Sequence, residues 1–231
     1  MINKIKKELQ SHKNEAKAKI LSGFFKTGKG QYGEGDIFLG LKVPETREIS
    51  KRYINLSLGH LQKLLLSKVH EERLAALMIL VEKYKKADSK NKKAIIDFYL
   101  KNAKNINNWD LVDLTADKIL GDYLFNKDKL ILFRLAKSDN LWERRIAVIS
   151  TFYFIKNKKY GDTFKIVEIL LKDNHDLIHK AAGWMLREVG KRNEGKLCKF
   201  LDKNYKIMPR TMLRYAIERL NKGKKKVYMK G

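Results

Sequence analysis

The sequence predicts an all-α protein, an α-solenoid of stacked antiparallel helix pairs with a basic concave groove. Three observations predict it. Nearly every segment between polar breaks carries apolar residues at helical period, and strand-like alternation is absent. A basic residue, any residue, then alanine recurs as Arg73-Leu-Ala75, Arg145-Ile-Ala147, Lys180-Ala-Ala182 and Arg214-Tyr-Ala216, at intervals of 72, 35 and 34 residues. A period in the thirties filled by helix pairs is the signature of a solenoid. The alanine lets neighbouring helices approach, and the basic residue is expected to repeat along one wall. Third, Lys and Arg exceed Asp and Glu by 51 to 26, a net charge of +25, and a field of that sign captures polyanions.

In chain order, Ile5, Leu9, His12, Ala16 and Ile20 form one stripe and predict a single N-terminal helix. "LGHLQKLLLSKV" predicts another near residue 60. Helical period continues through Glu71–Lys86, Asn91–Asn102, Trp109–Phe125, Lys129–Lys137, Trp142–Ile155, Phe164–Leu171, His175–Val189 and Pro209–Leu220, broken by polar runs such as "KSDN" and "KDNH". Pro44 and Pro209 both suit a first helical turn, where a missing N–H costs little. Residues 1–221 therefore read as a single domain, and 222–231, "KGKKKVYMKG", as a basic, frayed tail.

Composition narrows the function. Cys198 is the only cysteine, so an intrachain disulfide and a multi-cysteine metal site are excluded, and a reducing compartment fits. Met1 to Leu21 reads as neither signal peptide nor membrane span, and no apolar run reaches the ~18 residues a span needs. Nucleic acid is the leading partner, ahead of an anionic membrane surface. "GKGQYG" matches a dinucleotide fingerprint through Gly28, Gly30 and Gly33, but a helix precedes it where a strand is required, so it reads as a connector. "HDLIH" spaces His175 and His179 as helical metal ligands, yet Asp176 replaces the glutamate and no third ligand follows. Capping or phosphate-facing histidines are the better reading, and neither metal nor cofactor is expected.

"NNWDLVDLTA", residues 107–116, is the most informative stretch. Winding it at ~100° per residue puts Trp109, Asp113 and Leu120 within about 40° of one another. Asp113 then lies at the margin of an apolar stripe, where an unpaired charge costs free energy. Asp110 and Asp117 fall further round and are expected to face solvent. Trp142 reads as core filling. Trp109 and Trp184 are candidates for stacking on a sugar or base.

"NNWDLVDLTA", "LWERRIAVIS", "HKAAGWMLREVGKR" and "MPRTMLRYAIERL", with "FLGLKVPETR" upstream, resemble in order the AlkD family of DNA alkylation-repair glycosylases. The resemblance runs from about Tyr32 to Leu220. It implies a HEAT-like solenoid gripping duplex DNA, and hydrolysis of the N-glycosidic bond of cationic N3- or N7-alkylpurines with the damaged base left unenclosed. Trp109, Asp113, Arg145 and Trp184 match the family's active-site positions. Tyr32, Arg47, Lys180, Arg187, Arg210 and Arg214 are candidate DNA contacts. Double-stranded DNA containing alkylated purines is the expected partner, of a cytoplasmic, nucleoid-associated monomer. The competing readings are a noncatalytic module for branched or distorted DNA, and a scaffold for RNA or protein.

Overall fold

A computed structural model describes residues 1–230. It divides into two compact units, Met1–Thr115 and Ala116–Gly231. Among the described residues there is no strand, only an isolated parallel bridge between Ile37 and Val69. No described helix is long and apolar enough to cross a membrane.

The first unit contains α1 (Ile2–Ser11), α2 (Glu15–Phe24), α3 (Val43–Arg52), α4 (Leu58–Leu65), α5 (His70–Lys86), α6 (Ser89–Lys101) and α7 (Trp109–Asp113). Helix α5 is its axis: α1, α3, α4, α6 and α7 pack on it, and it is buried on all sides from His70 to Val81. A helix apolar around most of its circumference belongs inside. Leu77 and Leu80 are fully buried, and truncating either to alanine should cost about 2–5 kcal/mol.

The N-terminus departs from expectation. One helix was predicted; two form, because the Asn14 side chain accepts the Lys17 N–H and starts a new helix. Ile5 and Leu9 keep their place in the core, while Ile20 is exposed. No residue of α2 is fully buried.

The second unit contains a π-turn at Asp117–Gly121, α8 (Asp122–Leu124), α9 (Leu130–Ala136), α10 (Leu141–Lys156), α11 (Gly161–Leu170), α12 (Asp176–Gly190), α13 (Glu194–Asn204), α14 (Arg210–Ile217) and α15 (Lys222–Met229). Helix α10 packs on α9, α11 and α12, and α12 on α14. The expected frayed tail is helical instead. Asn221 caps α15 by accepting the Lys224 N–H, and buried Tyr228 donates its hydroxyl to Asp202 at 2.8 Å. One aromatic anchor offsets the charge of "KGKKK".

The helix starts expose a repeat register. Ala76, Ala147, Ala182 and Ala216 are each the seventh residue of α5, α10, α12 and α14, and all four are buried. A side-chain bond marks the same register. Arg73 Nη1 donates to the Ser67 carbonyl, Arg144 Nη1 to Ser138, and His179 Nε2 to Asp173, each six residues back. Arg73 is thus the counterpart of Arg144, not of Arg145, and the sequence alignment of the first motif was one residue out. Arg73 and Arg145 are also buried, so the four basic residues do not form one exposed row.

Candidate active site

Two corrections reshape residues 107–125. The predicted single helix Trp109–Phe125 is interrupted after Asp113. The Thr115 hydroxyl donates to the Leu111 carbonyl at 2.6 Å, and the backbone continues into the π-turn. Asp110 and Asp117, expected in solvent, are buried. Asp117 pairs with Lys156 at 2.7 Å, and Asp110 with His70 at 2.8 Å. Buried carboxylates need such partners.

Helix α7 still presents Trp109 and Asp113 on one face, one turn apart. Asn108 caps it by accepting the Trp109 N–H at 2.8 Å. Asp113 is the fifth residue of α7, the position that Arg145, Lys180 and Arg214 hold in their own helices. The fifth residue is thus an acid in α7, Leu74 in α5, and a cation in α10, α12 and α14. Both Trp109 and Asp113 are half-buried, and Trp142 is in the core as expected.

Both side chains line a cavity of about 370 Å³ within the first unit, walled by Leu21, Phe25, Phe38 and Leu41 among others, with Lys42, His70, Glu71, Asp110 and Asp113 as its polar or charged members. Phe25 stacks on Trp109, with centroids 5.0 Å apart and planes 16° apart, and on Phe38 at 5.0 Å and 19°. Phe38 stacks in turn on the His70 ring at 4.5 Å. Phe24 meets Trp109 edge to face. None of Phe24, Phe25, Phe38 or His70 was singled out from sequence. The aromatic-rich run on either side of "GKGQYG" was the available signal.

Behind the rings lies a buried ionic cluster. His70 donates to Asp110 through Nε2 and stands 3.6 Å from Asp36 through Nδ1. Arg73 donates to Asp36 at 2.6 Å. Two carboxylates and two cations make the cluster neutral overall once His70 is protonated. Burial by itself would lower the His70 pKa; the charge and hydrogen bond of Asp110, with Asp36 adding, overcome this and raise it to about 9. Asp36 would likewise be pushed up by burial, but His70 and Arg73 hold it below the ordinary carboxylate value.

The cavity's loop wall has its own anchor. The Glu71 carboxylate accepts the backbone N–H groups of Leu39, Gly40 and Leu41 at 2.8–3.3 Å. Gly40 has φ 93°, and a Cβ there would stand 2.3 Å from the Asn14 carbonyl oxygen, so only glycine fits.

The remaining candidates have these settings. Arg145 is buried and donates through Nη1 to the Leu177 carbonyl at 2.5 Å. Trp184 is half-buried, its ring 5.7 Å from Phe152. Lys180 pairs with Asp176 at 2.6 Å, Arg187 pairs with Glu218, and Arg210 donates to the Met229 carbonyl at 3.2 Å. Arg47 and Arg214 are exposed, and Tyr32 is half-buried. His175 is the N-cap of α12, its Nδ1 accepting the Leu177 N–H at 3.1 Å. The capping reading of "HDLIH" therefore holds for His175.

An all-helical protein with repeat-register helices and an acid-rimmed aromatic cavity is the class that fold and site define. The DNA alkylation repair enzyme family matches residues 5–220, and the chain belongs to it. Among solved structures, one described as a predicted DNA alkylation repair enzyme from Enterococcus faecalis superposes with a TM-score of 0.70 at 18% identity, covering 91% of this chain and 98% of that one. At that identity the likeness shows the fold. No curated protein matches the chain closely enough to count as a relative.

Proposed function

We propose that the protein is a DNA glycosylase that hydrolyses the N-glycosidic bond of cationic N3- and N7-alkylpurines in duplex DNA. The observation that carries the reading is the pairing of Asp113 with Trp109 on one short helix, at the rim of an aromatic cavity, in a chain of this family.

An N-alkylated purine is already a cation and a good leaving group. As its bond to the sugar stretches, positive charge moves onto the deoxyribose. A fixed carboxylate aimed there stabilises charge where it develops. Asp113 is assigned that role and the orientation of the attacking water. Trp109 and Trp184 are assigned to pack on the sugar and backbone, whose C–H bonds grow more acidic as the cation forms. Arg145 is assigned a phosphate beside the lesion; its bond to Leu177 pre-organises the guanidinium for that task. Selectivity then rests on the lability of the cationic lesion, with the base left unenclosed.

The repeat register supports a HEAT-like solenoid formed from one repeat domain. The charge of +25 supports a polyanion partner held through phosphates. Tyr32, Arg47, Lys180, Arg187, Arg210 and Arg214 are assigned to DNA contact. Incubating the protein with methylated duplex and measuring free N3-methyladenine and N7-methylguanine tests the reading. Release above the spontaneous rate is expected. DNA binding with no release leaves the noncatalytic module for distorted DNA as the function.

A further inference from the structure

Phe25 lies at the end of α2, outside every motif used so far, and it is 7% exposed. Its ring lies nearly parallel to the indole of Trp109, 5.0 Å away. Besides exposed Phe24, which meets it edge to face, Phe25 touches two rings that are themselves fixed: Phe38 follows directly on the bridge residue Ile37, and His70 is held by Asp110. A flat ring against the indole limits its rotation about the side-chain torsions, whereas an aliphatic side chain would tolerate a range of tilts.

The glycine-rich segment supplies a second, independent observation. After Phe25 the chain turns through Lys26 at φ 52°, a left-handed conformation costing about 1 kcal/mol for a residue with a Cβ. The Gly33 N–H donates to the Lys26 carbonyl at 3.1 Å. A Cβ on Gly33 would stand 2.5 Å from the Phe25 carbonyl oxygen. "GKGQYG" thus contributes a glycine that lets the returning chain press on the backbone of Phe25. The segment closes on that residue.

We propose that Phe25 is a positioning residue: clamped by Gly33 behind and by Phe38 and His70 beside, it sets the plane in which Trp109 meets the deoxyribose. This rests on the glycosylase reading. The indole's hold on the sugar strengthens as positive charge develops there, so a tilted Trp109 lowers the rate of the chemical step more than it lowers ground-state DNA affinity.

The test compares Phe25→Leu, Phe25→Tyr and Gly33→Ala with wild type, all labelled with 5-fluorotryptophan. Phe25→Leu should lower single-turnover excision of N7-methylguanine by about tenfold, with duplex Kd within about twofold. Phe25→Tyr keeps a flat ring and should restore most of the rate. Gly33→Ala should imitate Phe25→Leu although every ring is present. In both impaired variants the fluorine resonance of Trp109 should shift or broaden while those of Trp142 and Trp184 stay. Unchanged excision in Phe25→Leu, or three fluorine resonances moving together, overturns the proposal and leaves Phe25 as ordinary packing. The fluorine measurement needs no turnover, so a wild type that releases no methylpurine defeats the glycosylase reading alone, and the spectra still decide whether Phe25 fixes Trp109.

Discussion

The Nε2 of His70 and the Oδ2 of Asp110 lie 2.8 Å apart, and both side chains are nearly sealed from water. Asp110 is thereby a structural residue, although only Leu111 and Val112 separate it from the proposed catalytic Asp113. Asp110→Asn removes the charge that keeps His70 protonated and leaves Asp36 and Arg73 to pair without it. We expect a loss of about 3 kcal/mol in urea unfolding, a scale set by breaking buried ion pairs. A variant as stable as wild type would show that the cluster is not coupled.

The same pair sets a pH dependence. The His70 pKa is raised to about 9 in the folded protein against an ordinary value of 6.5. A raised pKa means the folded state holds the proton more tightly. The stabilisation is complete below pH 6.5, erodes as pH rises from there, and is gone above about 9. Asp36, lowered from 3.8, acts in the opposite sense: its contribution is lost as pH falls below that value. Urea midpoints should therefore decline from pH 6.5 to 9, and the His70 imidazole should titrate near 9 by NMR. Titration below 6.5 would remove the cluster's electrostatic account.

Asp113→Asn keeps the side chain's shape and removes its charge. If electrostatic stabilisation supplies about 3 kcal/mol, excision of N7-methylguanine falls roughly a hundredfold. Affinity for intact duplex should hold or rise, since a carboxylate near phosphates repels them. Asp97→Asn, on exposed Asp97 paired with Lys93 of the same helix, serves as the control. Wild-type excision by Asp113→Asn would move the catalytic carboxylate elsewhere.

DNA affinity should fall steeply with salt. Contacts to at least ~5 phosphates give a log–log slope steeper than about −4.5, since each neutralised phosphate contributes about −0.9. Little sequence preference is expected, because phosphate contacts carry none. Affinity insensitive to salt would remove the electrostatic mode of binding.

Chelation should leave excision unchanged. His175 is occupied as a cap and His179 as a carbonyl partner. Loss of activity in EDTA, restored by zinc, would reverse that reading.

Sequence alone determined the helical class, the bounds of α5, α6, α9, α10 and α12 within a residue or two, and the pairing of Trp109 with Asp113. These depend on local period, caps and one-turn spacing, which a linear pattern contains. It also carried the family, through motifs ordered along nearly the whole chain. Tertiary structure decided the rest. The side chain of Asn14 could continue a helix or start one, and the capping bond settled it. A helical wheel assigned Asp110 and Asp117 to water because it knows angle but not what lies opposite; His70 and Lys156 come from 40 and 39 residues away and draw both inside. Phe25 acquired its place in the same way. No local period marks it, because its partners Phe38, His70 and Trp109 are spread over three separate segments, and only folding stacks their rings on it.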